Sequence, residues 1–134
     1  IFSNNSTLAG HVTVGDYVTL AGMVAVHQFC NIGRHAFIAG GSLVRKDIPP
    51  FVKAAREPLS YVGINSVGLR RRGFSSEKIR EIQNIYRILY QKKFNNTQAI
   101  NIIEAEVEAT SDRDEILVFI KDSQRGIMKG YIQN

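Results

Sequence analysis

Residues 8–43 read LAGHVT VGDYVT LAGMVA VHQFCN IGRHAF IAGGSL, hexads that each open on an aliphatic residue. The series extends both ways, so the leaders run Phe2, Leu8, Val14, Leu20, Val26, Ile32, Ile38 and Val44. Four places after each leader from Leu8 onward stands a second small or aliphatic residue: Val12, Val18, Val24, Cys30, Ala36, Ser42 and Ile48. A helix face repeats every 3.6 residues and a half-buried strand every 2, so a period of six fits neither. It is the period of a parallel β-helix, in which short strands stack turn upon turn around one core. With three strands per turn, Leu8 lies beneath Val26 and Val26 beneath Val44, each about 4.8 Å apart.

The position after the leader is small at Ala9, Gly15, Ala21, Gly33 and Ala39, and His27 breaks that rule. A polar ring in this slot either turns outward for a purpose or lines an interface. Gly10 and Gln28 fall in one column of the solenoid, flanked by His11 and His27. Imidazoles suit acid–base work near neutral pH, and a glycine N–H can stabilise an oxyanion. The plainer reading is solvated surface, the usual fate of an outward histidine on such a scaffold. Three histidines without nearby Cys, Asp or Glu at ligand spacing make no metal set. Cys30, at an inward position, reads as a small core residue, and no motif supports a serine or cysteine nucleophile.

The 134 residues suffice for a repeat region with a smaller appendage, and the net charge of +5 favours acidic or phosphorylated partners. One cysteine builds no disulfide framework. No stretch approaches the ~20 apolar residues of a membrane span. A soluble, cytoplasmic protein without stable membrane insertion is expected. The chain starts at Ile1, inside a repeat and without Met, and so reads as the C-terminal part of something longer.

The coils are expected to occupy residues 1–50 and to stop at Pro49-Pro50, because prolines donate no ladder hydrogen bonds. Residues 51–74 read as an irregular connector bearing Arg70-Arg71-Arg72. That run is either a solvated face or, with Asn65, a phosphate clamp. It is too short for nucleic-acid binding, and no recognition helix accompanies it. Residues 75–134 read as helical. A first helix is capped by Ser75 and runs to about Lys93, a second follows Asn95-Asn96-Thr97, and a third starts at Ser111 or Asp112. Gly126 and Gly130 then end regular structure. Such an appendage would cover the open end of the solenoid.

Across nearly its whole length the chain resembles the acyl-ACP:UDP-N-acetylglucosamine O-acyltransferases, which begin lipid A biosynthesis in Gram-negative bacteria. The resemblance rests on Asn4-Asn5-Ser6-Thr7-Leu8-Ala9-Gly10-His11-Val12, Val26-His27-Gln28-Phe29-Cys30, Gly63-Ile64-Asn65 and Gly68-Leu69-Arg70-Arg71-Arg72-Gly73-Phe74. It implies a left-handed parallel β-helix capped by a C-terminal helical domain, and a homotrimer. It also implies transfer of an R-3-hydroxyacyl chain from acyl carrier protein to the sugar 3-hydroxyl, with no cofactor. The general base would be a histidine one coil before Gly10, upstream of Ile1, so it is not in this chain. Gly10 would offer its N–H to the oxyanion, with His11 in support. His27 and Gln28 would contact sugar or acyl chain, while Asn65, Arg71 and Arg72 would hold the UDP end. Gly40 falls at the acyl-chain ruler. Val67 stands where relatives carry a carboxylate, which weakens one nucleotide contact. The acidic carrier protein would dock around Lys53, Arg56, Arg70, Arg72, Lys78 and Arg80. Two other readings stay open: a related hexapeptide N-acyltransferase, or a non-catalytic trimeric scaffold.

Overall fold

The computed structural model describes residues 1–2, 6–91 and 93–130, so Asn4 and Asn5 of the first matching stretch lie outside the described residues. Two-residue strands β1 (Thr7–Leu8), β2 (Thr13–Val14), β3 (Thr19–Leu20), β4 (Ala25–Val26), β5 (Asn31–Ile32), β6 (Phe37–Ile38) and β7 (Leu43–Val44) wind into a left-handed parallel β-helix. Leu8 pairs with Val26 and Val26 with Val44, in the register that an eighteen-residue turn requires. Leaders and their i+4 partners face inward: Leu20, Val24, Cys30, Ala36, Ile38 and Val44 are fully buried.

Three columns of corners join the strands. Corner A holds Gly10-His11 and Gln28-Phe29; corner B holds Asp16-Tyr17, Arg34-His35 and Pro50-Phe51; corner C holds Gly22-Met23 and Gly40-Gly41. The second residue of each corner is left-handed, from φ 59° at His11 to 75° at Gly41. That conformation costs about 1–2 kcal/mol for a non-glycine residue. A hydrogen bond offsets part of the cost. The second residue's N–H reaches the carbonyl of the first corner residue one coil back, as in Phe29 to Gly10 (3.3 Å), His35 to Asp16 (2.9 Å) and Phe51 to Arg34 (2.9 Å).

The slot after the leader sorts by corner rather than by hexad. At corner B it is glycine, because a Cβ on Gly15 would lie 2.6 Å from the Arg34 backbone nitrogen and one on Gly33 only 2.4 Å from that of Pro50. At corner C it is Ala21 and Ala39, and at corner A it is Ala9, His27 and Arg45. His27 therefore stands where the backbone leaves room for a side chain.

The prolines do not stop the ladder, contrary to the expectation from sequence. Ile48, not Pro50, bridges Ile32, so the last coil is two residues short at corner A. Pro50 then takes the first position of corner B, where its fixed φ suits the turn and no N–H is needed. The chain runs on into β8 (Val52–Ala55), which pairs parallel with β6, and returns in β9 (Ser60–Ile64), antiparallel to β8. Helix α1 (Ser66–Arg71) follows at once. The stretch expected to be an irregular connector is thus mostly a last strand, a hairpin and a short helix.

Helices α2 (Ser76–Leu89), α3 (Asn96–Glu106) and α4 (Ser111–Asp122) begin at the caps Ser75, Asn95 and Thr110. Helix α2 ends four residues before Lys93, at the C-cap Tyr90, whose ring stacks on Tyr61 at 4.5 Å and whose hydroxyl donates to the Met128 carbonyl. The wholly buried Tyr86 donates to the Pro50 carbonyl at 2.5 Å, tying α2 to the end of the solenoid. Burial pushes the Tyr61 phenol up to about 12. Arg34 reaches from corner B to clamp Glu115 of α4 through both carboxylate oxygens, at 3.2 and 2.9 Å. One apolar core runs without a break from Val18 in the coils to Ile120 in α4. No helix among the described residues is long and apolar enough to cross a membrane.

Candidate active site

At corner A the ring of His11 stacks on Phe29 one coil further on, with centroids 5.1 Å apart and planes 7° from parallel. The Gly10 carbonyl is taken by the Phe29 N–H. Its own N–H has no partner among the described residues and is free for an anionic oxygen. His27 is exposed, and its backbone N–H is fixed by the Val44 carbonyl at 2.8 Å. Its Nδ1 lies 3.2 Å from a terminal nitrogen of Arg125, and equally 3.2 Å from the Gln28 carbonyl oxygen. The Gln28 side chain is exposed beside it. His11 and His27 share the corner but take different partners.

Corner B carries the second group. Asn65 caps α1: its Oδ1 accepts the Gly68 N–H at 3.2 Å while its Nδ2 donates to the His35 carbonyl at 3.0 Å. A Cβ on Gly68 would lie 2.4 Å from that amide nitrogen, so any larger residue there would displace the Asn65 amide. Asn65 thus fastens α1 to the solenoid and keeps one amide hydrogen for a ligand. The guanidinium of Arg72 sits 4.2 Å above the Tyr17 ring, a cation–π arrangement. Tyr17, Asn65, Gly68, Arg71 and Arg72 line a cavity of about 360 Å³. Two cations and an amide around such a volume suit a phosphorylated ligand.

Gly40 lies apart from both, at corner C, where a Cβ would come 3.1 Å from the Gly22 carbonyl oxygen. Corners C and A bound one face of the prism, that of β1, β4 and β7. The structure therefore assembles Gly10, His11, His27 and Gln28 at one corner and Asn65, Arg71 and Arg72 at another, with none of the first group lining the corner B cavity. Val67 is 61 % exposed on α1. Among the cations expected to receive an acidic partner, Lys78 pairs with Glu81 at 3.0 Å and Asp112 at 3.5 Å. Arg70 and Arg80 are exposed. Two participants were missed. Tyr17 is an exposed aromatic in a left-handed corner, and Arg125 lies 98 positions from the histidine it touches.

Fold and corners together define a hexapeptide-repeat β-helix with a helical cap and polar groups on two of its edges. The sequence profile of UDP N-acetylglucosamine O-acyltransferase, domain 2, matches residues 47–128, and the chain belongs to that family. It is 43 % identical over 130 residues to an acyl-[acyl-carrier-protein]–UDP-N-acetylglucosamine O-acyltransferase of Stenotrophomonas maltophilia, covering 96 % of this chain and 49 % of the relative. The protein of the same name from Herminiimonas arsenicoxydans is 47 % identical over 133 residues, covering 96 % and 51 %. Among solved structures, a UDP-N-acetylglucosamine acyltransferase from Bacteroides fragilis superposes with a TM-score of 0.89 at 43 % identity, covering 96 % of this chain and 52 % of that one. The chain spans about half the length of the curated relatives it matches.

Proposed function

We propose that the protein to which this chain belongs transfers an R-3-hydroxyacyl group from acyl carrier protein to the 3-hydroxyl of UDP-N-acetylglucosamine, the first step of lipid A biosynthesis. The observation that carries the reading is the corner B cavity, with Arg71 and Arg72 beside Asn65, in a chain of this family. A base one coil before Gly10, beyond this chain, takes the proton of the sugar hydroxyl. The alkoxide attacks the thioester carbonyl, and the tetrahedral oxyanion rests on the Gly10 N–H. Collapse expels the carrier thiolate, which takes up the proton, and leaves an ester on the sugar. His27 and Gln28 orient sugar and acyl chain, and Arg71 holds the diphosphate by charge-assisted bonds. Gly40, at the far edge of the same face, sets the length of chain that fits. No cofactor enters the scheme.

Separation of the two groups on different corners supports a site shared between copies, hence a homotrimer. Tyr17, Met23 and Phe29 are 52 %, 65 % and 51 % exposed at the corners, apolar surface that a neighbouring copy would cover. Cytoplasmic location follows from the acyl carrier protein substrate.

The test is mass spectrometry of products made by the full-length protein. An ester on UDP-N-acetylglucosamine is expected, and Arg71→Ala should weaken nucleotide-sugar binding by about 1.5–3 kcal/mol. An amide on a free amino sugar, or no transfer at all, would overturn the proposal.

A further inference from the structure

Arg125, from beyond α4, touches the corner A side chain of His27, and it is built into place. Its Nε donates to the Arg45 carbonyl at 3.3 Å, and the Arg125 carbonyl accepts from Lys46 Nζ at 3.2 Å. Gly126 follows with φ 84°, turning the chain so that its carbonyl accepts the Asp47 N–H at 3.0 Å. Ile127 bridges Asp47, and the Met128 N–H returns to the Asp47 carbonyl at 2.9 Å. Asp47 itself is 1 % exposed, and its carboxylate takes the Asn31 N–H at 2.8 Å and the Ser123 hydroxyl at 2.6 Å. The short returning strand is thereby clamped onto the last coil, with Arg125 at its start.

A guanidinium has only donors. Its approach to His27 Nδ1 at 3.2 Å is a hydrogen bond only when Nδ1 carries no proton. The Gln28 carbonyl at the same distance makes the opposite demand, since it can accept only from a protonated Nδ1. One imidazole nitrogen cannot satisfy both, so the presence of Arg125 selects between two tautomers.

We infer that Arg125 is a positioning residue for His27, holding the imidazole in the tautomer that carries its proton on Nε2, which has no partner among the described residues. His27 then serves as a hydrogen-bond donor through Nε2–H to an oxygen of the bound substrate and not as a second base. This role rests on the acyl-transfer reading; the tautomer itself does not.

The experiment uses the full-length protein labelled with 15N in its imidazoles, the His27 signals being assigned by their loss in His27→Gln. In the unaltered protein Nδ1 should show the shift of an unprotonated nitrogen and Nε2 that of an N–H. A proton on Nδ1 overturns the inference at once, whatever any variant does. In Arg125→Ala the pattern should invert towards an Nδ1–H bonded to the Gln28 carbonyl, and Arg125→Lys should restore part of the original. Turnover of Arg125→Ala should fall about tenfold, the worth of one hydrogen bond, and the change should add nothing in a His27→Ala background. Unchanged imidazole shifts in Arg125→Ala, or losses that multiply with His27→Ala, would sink the inference. The spectra read the tautomer without any substrate, so a wrong acceptor sugar and a wrong role for Arg125 give different results.

Discussion

Corners A and B are built from the same backbone, yet their histidines live in opposite worlds. His27 stands in solvent, whereas His35, with an Arg34 guanidinium nitrogen 3.5 Å from its Nε2, is 2 % exposed, stacked on Tyr17 at 4.9 Å and Phe51 at 5.9 Å and met edge-on by Phe74. The repeat fixes where a side chain leaves the coil. What the rest of the chain lays over that corner decides its chemistry. Over corner B the chain lays α1, Phe74 and the Arg34–Glu115 clamp to α4. To corner A, among the described residues, it sends the returning strand that carries Arg125.

The largest way to break this contrast is to empty corner B. Phe51 is fully buried between His35, Phe74 and the core. Phe51→Ala should cost about 3–5 kcal/mol, read as a fall in denaturant midpoint. Next comes Gly33→Ala, which presses a methyl onto the Pro50 backbone, a part that cannot swing aside. Overpacking of this kind costs about 1–3 kcal/mol, and the upper end is expected. A loss under about 0.5 kcal/mol, the usual scale of an unstrained surface change, would show that the last coil slides freely on its neighbour.

Acid should sharpen the contrast further. Burial, and then the Arg34 cation, hold the His35 imidazole below its ordinary value, against the smaller opposing pull of Glu115 and Asp112; Arg72 adds to the lowering. The unfolded chain therefore takes up a proton that the folded one resists. Stability on this account is complete above the ordinary histidine value of about 6.5 and is lost as pH falls below it. Denaturation midpoints measured from about pH 8 to about pH 5 should decline at the acid end. His35→Phe, which keeps a ring in the stack, should flatten that decline; an unchanged slope would remove His35 as its source.

Much of this was legible in the sequence, because a period of six with columns of eighteen is a statement about register, and the leaders pair as read. The helix starts were legible too, since Ser75 and Asn95 announce themselves as caps. Pro49-Pro50 misled because the two-residue shortening lies before them, at Arg45–Asp47, where no residue type marks a missing corner. His27 was visible as the breach of a small-residue rule. That rule is really three rules, one per corner, and only the close approach of Arg34 and Pro50 to the glycines reveals them. Arg125 was out of reach. Its contact depends on a buried carboxylate, Asp47, gathering three separate segments, and no periodicity encodes that.

The smallest stability effect is the most telling for function. His27→Ala places at corner A the residue that already fills the same slot at Ala9, Ala21 and Ala39, so the coil needs no adjustment. Its side chain is exposed and gives up one solvent-facing contact with Arg125, so stability should change by no more than about 0.5 kcal/mol. Turnover should nevertheless fall, or the KM for the nucleotide sugar rise, with the subunits still assembled on size exclusion. Should the variant come out monomeric and inactive, corner A would be an interface first, and the contrast with corner B would be one of neighbours and not of chemistry. Should it stay assembled and fully active, the breach at His27 would mark only spare room, and the polar edge of the prism would have to act through Gly10, His11 and Gln28.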